Sequence, residues 1–188
     1  MTRSLSNVMG VDDAPFERTH RGEVPIVGTI CTRTRLDGVV TSRVRRDGRN
    51  ATERIASMLA GSPFGAHVQA IVLNGIAVAG FNVVDLAALH GQTGLPVVAI
   101  ARKAPDLAAI ERALRTRVPG GARKWRLIEQ AGAMEPLDGV WVQRAGASRA
   151  EVSTMLRATR AQGLLPEPLR LAHLIAGAIG RGTSKGGA

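Results

Sequence analysis

Over the first fifty residues, apolar positions come in short runs without helical spacing, and the runs are rich in the β-branched residues that suit a pleated surface. Met9-Gly10-Val11 reads as a short strand ending on Asp12 and Asp13, and Val24 to Thr34 as a second strand. Asp37-Gly38 reads as a hairpin turn, with Val39 to Arg46 returning as the third strand. After Asp47-Gly48 the period changes. Asn50 stands three residues ahead of Glu53, and Ile55, Met58 and Leu59 follow at helical spacing until Gly61-Ser62-Pro63. Ala70-Ile71-Val72-Leu73 and Val97-Val98-Ala99-Ile100 are unbroken apolar runs, as expected of strands covered on both faces. Between them Asn82 and Asp85 repeat the capping spacing ahead of Val83, Leu86 and Leu89, and Gly94-Leu95-Pro96 closes that helix. Pro105-Asp106 opens a third helix that runs to Leu114, and Arg126 to Gln130 and Gly139 to Gln143 read as two shorter strands. Ser148 with Glu151 caps a helix to Ala161, Glu167 to Ile179 forms the last helix, and residues 181–188 read as a frayed tail.

Three antiparallel strands followed by helix–strand–helix–strand is the element order of a ribonuclease H-like α/β fold. The expectation is a single domain over residues 1–188, with a mixed five-stranded central sheet, flanking helices and C-terminal additions. Right-handed crossovers place the fourth strand beside the first and the fifth beyond it. Asp12 and Asp13 then fall near the loop after the fourth strand, at the carboxyl edge where open sheets form their sites.

Composition narrows the function. A hydrophobic fraction of 45% excludes wholesale disorder, and a single cysteine, Cys31, excludes an internal disulfide. Cys31 lies in an apolar strand and reads as inert core. The chain carries 25 Lys and Arg against 15 Asp and Glu, a formal charge of +10, and favours polyanionic partners. Aromatic residues are 3% with no Tyr, which argues against a stacking platform for single strands. No apolar stretch approaches the ~20 residues of a membrane span, and the expected location is the cytoplasm.

Candidate chemistry centres on Asp12-Asp13. Adjacent carboxylates repel unless a cation or base is near, and hard oxygen ligands suit magnesium or manganese; a solvated strand end is the alternative. Glu53 and Asp85 each fit a capping box, and Asp47 fits a turn, so their interest lies in the predicted convergence on Asp12. Lys103 follows the fifth strand at the same edge, placed to meet a phosphate or a site carboxylate. His20, His67, His90 and His173 lack zinc spacing, and Arg170 with His173 reads as the wetter face of the last helix. No phosphate-binding glycine motif and no organic-cofactor motif is present. Arg43, Arg45, Arg46, Arg49 and Arg102 are the candidate phosphate contacts, and Phe81 is a candidate wedge or core residue.

Read together, Gly10-Val11-Asp12-Asp13-Ala14-Pro15-Phe16, Asp47-Gly48-Arg49-Asn50-Ala51-Thr52, Leu73-Asn74-Gly75-Ile76 and Ala79-Gly80-Phe81-Asn82-Val83-Val84-Asp85 resemble the archaeal endonuclease dU family. Thr93-Gly94-Leu95-Pro96-Val97-Val98, Arg102-Lys103-Ala104-Pro105-Asp106 and Pro166-Glu167-Pro168-Leu169-Arg170-Leu171-Ala172-His173-Leu174 extend the resemblance along almost the whole chain, in the same order. That family is similar to endonuclease V, a ribonuclease H-like nuclease acting on deaminated bases. The resemblance implies Mg2+- or Mn2+-dependent hydrolysis of DNA containing deoxyuridine, in repair. It implies that Asp12 matches the metal carboxylate of the first strand, Lys103 the lysine after the fifth, and Glu53 the acid of the first helix. Asn74 stands where endonuclease V has an aspartate, so Asp13 or Asp85 would have to supply the missing charge. The alternative is a catalytically weak or inactive nucleic-acid-binding protein on the same fold, and a third class is a small-molecule or protein-interaction role with no salt-sensitive DNA affinity.

Overall fold

The computed structural model describes residues 4–185. β1 (Asn7–Asp13), β2 (Glu23–Thr32) and β3 (Arg35–Arg45) form an antiparallel meander, followed by α1 (Ala51–Ala60) and β4 (Ala70–Asn74). The short strands β5 (Ala77–Val78) and β6 (Asn82–Val83) make a separate hairpin, then come α2 (Leu86–Thr93), β7 (Val97–Ala101), α3 (Leu107–Arg117) and α4 (Gly121–Gln130). β8 (Glu135–Leu137), β9 (Val140–Ala145), α5 (Arg149–Thr159) and α6 (Glu167–Arg181) complete the order. The main sheet has seven strands in the order β3-β2-β1-β4-β7-β9-β8. β1–β4 and β4–β7 pair in parallel, and the meander and the β7–β9–β8 half are antiparallel.

The sheet separates two cores. Met9, Val11, Ile71, Leu73, Val97 and Ala99 point to one face, where Ile55, Met58 and Leu59 of α1 and Leu86 and Leu89 of α2 cover them. Val8, Ala70, Val72, Val98 and Ile100 point to the other, under Val152, Met155 and Leu156 of α5 and Leu169 of α6. The unbroken apolar runs of β4 and β7 follow from this double covering. A third cluster, Val83 with Leu114 and Ile128, joins the β5–β6 hairpin to α3 and α4.

Several expectations are corrected. The sheet has seven strands and not five, because β9 pairs along the open edge of β7 and β8 extends it. Arg126 to Gln130 is the end of helix α4 and not a strand. Gly121, Lys124 and Ile128 recur at helical spacing on its buried face, a pattern hidden by the lysine within it. The β2–β3 turn sits at Arg33-Thr34, with Arg33 at φ 56°. Asp37 is the extra residue of a bulge, since Cys31 pairs with Leu36 and Ile30 with Gly38. Its carboxylate accepts from Thr32 Oγ1 (2.5 Å) and Arg35 Nε (2.7 Å), a local clasp that a turn signal resembles. Asn50 makes no side-chain cap to α1, and Asn82 belongs to β6. Of the tail read at 181–188, residues 186–188 lie outside the described residues.

Candidate functional site

The register of the parallel strands sets the site. Val11 pairs with Leu73 and Leu73 with Ala99, so Asp12, Asn74 and Ile100 form the next row, at the carboxyl edge. Alternation along a strand sends Val8, Gly10 and Asp12 to the α6 face and Met9, Val11 and Asp13 to the α1 face. The two adjacent acids therefore leave the strand on opposite sides of the sheet.

Gly10 lets α6 approach. A Cβ at this position would lie 2.6 Å from Leu169 N and closer still to the Pro168 carbonyl, and Thr29 Oγ1 donates to that same carbonyl. At the far end Gly180 lies against Pro15, where a Cβ would come 2.7 Å from the ring. Held at both ends along β1, α6 delivers His173 to Asp12: Nδ1 lies 2.7 Å from Oδ2. Asn74 Nδ2 donates to the same oxygen (3.1 Å) and the Asp13 N–H to Oδ1 (3.0 Å). Asp12 is 4% exposed. Burial raises its pKa, and the three hydrogen bonds and the His173 charge oppose that rise without cancelling it. Asp13 is pushed up to about 6, first by burial and then by the charge of Asp12, against a hydrogen bond from the Ala79 N–H. Burial thus disfavours the charged form of both carboxylates.

The remaining candidates separate. Lys103 is exposed in the loop beyond β7, at the same edge, with Arg102 beside it. Asp85 is the N-cap of α2, its Oδ1 accepting from Ala88 N (2.9 Å), so it is the cap itself and not the third residue of a capping box. Glu53 is exposed on the first turn of α1 and lines an open cleft with Arg45, Arg49, Asn50 and Arg123. Arg46 is turned inward: Nη1 donates to the carbonyl oxygens of Arg18 (2.6 Å) and His20 (2.5 Å), and its guanidinium lies 5.5 Å from the Phe16 ring centre. Phe81 packs against the cluster of Val83, Leu114 and Ile128. Among the described residues, no three His, Cys, Asp or Glu side chains converge as a metal cluster. The Cys31 thiol is buried and pushed up to about 12, first by burial, so the inert reading stands.

Beside the acids lies a polar junction that sequence reasoning missed. Asn82 Oδ1 accepts from Ala51 N (3.1 Å) and so caps α1 from another element. Its Nδ2 donates to Arg45 O (2.9 Å) and Asn50 Oδ1 (2.8 Å), while Asn50 Oδ1 also accepts from Arg45 N (3.1 Å). Asp47 Oδ1 accepts from Phe81 N (2.8 Å), and the Asp47 N–H donates to Ala79 O (2.9 Å). Lys124, 2% exposed, donates from Nζ to the Asp47 carbonyl, and burial lowers its pKa. Ala79, at φ 48°, thus faces both ways: its N–H serves Asp13 and its carbonyl serves Asp47. His173 was also missed; its position three residues after Arg170 was the available signal, but only the packing of α6 shows which way it points.

An α/β protein with a buried carboxylate at the carboxyl edge of its parallel strands is the class that these features define. Residues 4–180 match the family model described as Endonuclease dU. A UPF0215 protein of Deinococcus radiodurans is 55% identical over 182 residues, covering 97% of this chain and 93% of that protein. A crystal structure of a protein of unknown function from Archaeoglobus fulgidus superposes with TM-score 0.87 at 29% identity, covering 93% of this chain and 98% of that one. Endonuclease V of Ciona intestinalis, solved with a 24-mer DNA containing an inosine, shares the fold at TM-score 0.55 and 10% identity, over 89% of this chain and 82% of that one. The chain belongs to the endonuclease dU family. No helix among the described residues is long and apolar enough to cross a membrane.

Proposed function

We propose that this protein is a DNA endonuclease that hydrolyses phosphodiester bonds next to deaminated bases, deoxyuridine foremost, on a ribonuclease H-like arrangement of strands and with a divalent cation. The observation that carries the reading is Asp12, a buried carboxylate at the carboxyl edge of a central strand, joined there by Asn74, Asp13 and the half-exposed His173. Family membership and a fold shared with a protein that holds inosine-containing DNA support it.

The donor set fits magnesium or manganese. A hard cation takes oxygen ligands, and Mg2+ is commonly held by one or two carboxylates, with substrate phosphate and water completing its shell. Asp12 and the amide oxygen of Asn74 beside it would hold the cation, and Asp13, which leaves the strand on the other side, adds its negative charge from the next residue. Burial disfavours the charge of both acids, a setting a cation stabilises. When bound, the cation supplies Lewis acidity toward the phosphoryl oxygen and lowers the pKa of water. His173 holds Asp12 from the other side. An ionised carboxylate only accepts, so Nδ1 carries the hydrogen, and in the neutral form of the ring Nε2 is the nitrogen that takes a proton from attacking water. The exposed Lys103 ammonium meets the phosphate charge at the same edge. Extrusion of a uracil is cheapest where its pair is mismatched, which favours the deaminated site.

A second reading, a nucleic-acid-binding protein without cleavage, is favoured by one observation: both Asp12 oxygens already accept hydrogen bonds from the protein. Uracil-, hypoxanthine- and undamaged oligonucleotides incubated with Mg2+, Mn2+ or chelator decide between them. The nuclease reading expects cutting of the uracil strand with metal, none with chelator, and none from Asp12→Ala, which still binds. Binding without cutting in every buffer establishes the second reading, and cutting by Asp12→Ala at the wild-type rate removes Asp12 from the chemistry.

A further inference from the structure

We propose that the cleft lined by Arg45, Arg49 and Arg123 seats the phosphodiester backbone of the bound nucleic acid, beside the acidic edge and separate from it. The inference rests on the nuclease reading for its partner and supplies the surface that reading lacks. The cleft is open, about 440 Å³, and is completed by Asn50 and Glu53. Three elements contribute one arginine each: the end of β3, the turn before α1, and α4.

The charges are left uncompensated. Arg35, Arg144, Arg149, Arg157 and Arg170 each pair with a carboxylate. Among the described residues, the guanidinium groups of Arg45, Arg49 and Arg123 make no ion pair and no hydrogen bond, and Glu53 is the single acid in the cleft. Three converging cations against one anion repel, and an anionic strand removes that repulsion. The frame beneath them is fixed in advance. Asn82 fastens Arg45 and Asn50, and Lys124, next to Arg123 on α4, is buried under the Asp47 carbonyl. Ordering three free arginines on a mobile loop would cost more than ordering them on this junction. Ala79 joins the Asp47 side of the junction to Asp13, so a strand following the cleft passes toward the carboxylates.

The test measures DNA affinity of the full chain in excess chelator, by fluorescence anisotropy over a range of salt. Each duplex phosphate neutralised contributes about −0.9 to the slope of log affinity against log salt. Arg49→Ala/Arg123→Ala is expected to shrink the slope by about 1.8, and Arg49→Lys/Arg123→Lys to keep it, since lysine retains the charge. Arg33→Asn/Arg35→Ala, at the other end of β3 and about 33 Å from Arg45 by strand rise, removes the same charge elsewhere and is expected to leave the slope alone. An unchanged slope in the alanine pair, or an equal change in the control pair, overturns the inference. So does a thermal shift by inorganic phosphate that the alanine pair abolishes while its DNA slope stays intact, because the cleft would then serve a free anion. Absence of cleavage by the wild type would sink the nuclease reading and leave the slope result standing.

Discussion

Gly10→Ala tests the packing that brings His173 to Asp12. The added methyl would sit 2.6 Å from Leu169 N and nearer still to the Pro168 carbonyl, against a comfortable separation of about 3.5–4.0 Å. α6 must retreat by about 1 Å, because the obstacle is backbone and no rotamer change relieves it. Overpacking of this kind costs about 1–3 kcal/mol, and loss of the Thr29 hydrogen bond to Pro168 adds about 1 kcal/mol. For a chain of this size each kcal/mol lowers Tm by roughly 2–4 °C, so a total near 3 kcal/mol gives a fall of about 6–12 °C. The same retreat breaks the 2.7 Å contact between His173 and Asp12, so activity is expected to fall even well below Tm. Gly91→Ala is the matching control. Gly91 lies within α2 with nothing within 4 Å of an added Cβ, and alanine there stabilises by roughly 0.5–1 kcal/mol. Circular dichroism melts of the three proteins suffice. A Gly10→Ala melt within about 2 °C of wild type (under ~1 kcal/mol) would refute the close approach of α6 to β1.

Asp13 supplies a pH dependence. Its folded pKa of about 6 lies above the unfolded value, so the folded state holds the proton more tightly, and stability falls as pH rises from about 4 to about 6. The loss is on the order of 2–3 kcal/mol; Asp13→Asn is expected to flatten that part of the profile in urea melts in metal-free buffer, and an unaltered slope would assign it to another group. Asn82→Ala removes the remote cap of α1 and one of two donors each from the Arg45 carbonyl, which keeps the Gly48 N–H, and from Asn50 Oδ1, which keeps the Arg45 N–H. A loss of about 2–4 kcal/mol is expected in denaturant titration, and a loss below about 1 kcal/mol would show that the junction holds without it.

The order of β1 to β4 and β7 was legible because apolar runs and one helical period settle most choices locally. Right-handed crossover then places β4 between β1 and β7. Trp125, Ile128 and Lys124 show where local reading fails. A buried lysine disguises the apolar stripe of α4, and its burial is intelligible only from the Asp47 carbonyl, distant in sequence. The capping pattern was correct at Ser148 and Glu151, which form a true capping box. At Asn50 and Asn82 the same residue types serve each other across two elements. Within the candidate site, the chain itself pointed to Asp12, Asp13 and the edge position of Lys103. The direction each acid takes off the strand, and the arrival of His173, depend on register and on the packing of α6.

The partners of Asp12 arrive at very different times. Asp13 is the next residue, Asn74 comes 62 residues later and His173 comes 161 residues later. At a synthesis rate of about 5–20 residues per second, the interval between Asp12 and His173 is roughly 8–32 s. Throughout that time the Gly10 face of β1 lacks its lid and Asp12 lacks its histidine. The ribosome therefore releases the strand that bears the central carboxylate well before the helix that completes its surroundings. A nascent chain carries the acid with its surroundings unfinished until α6 has been made and packed against β1.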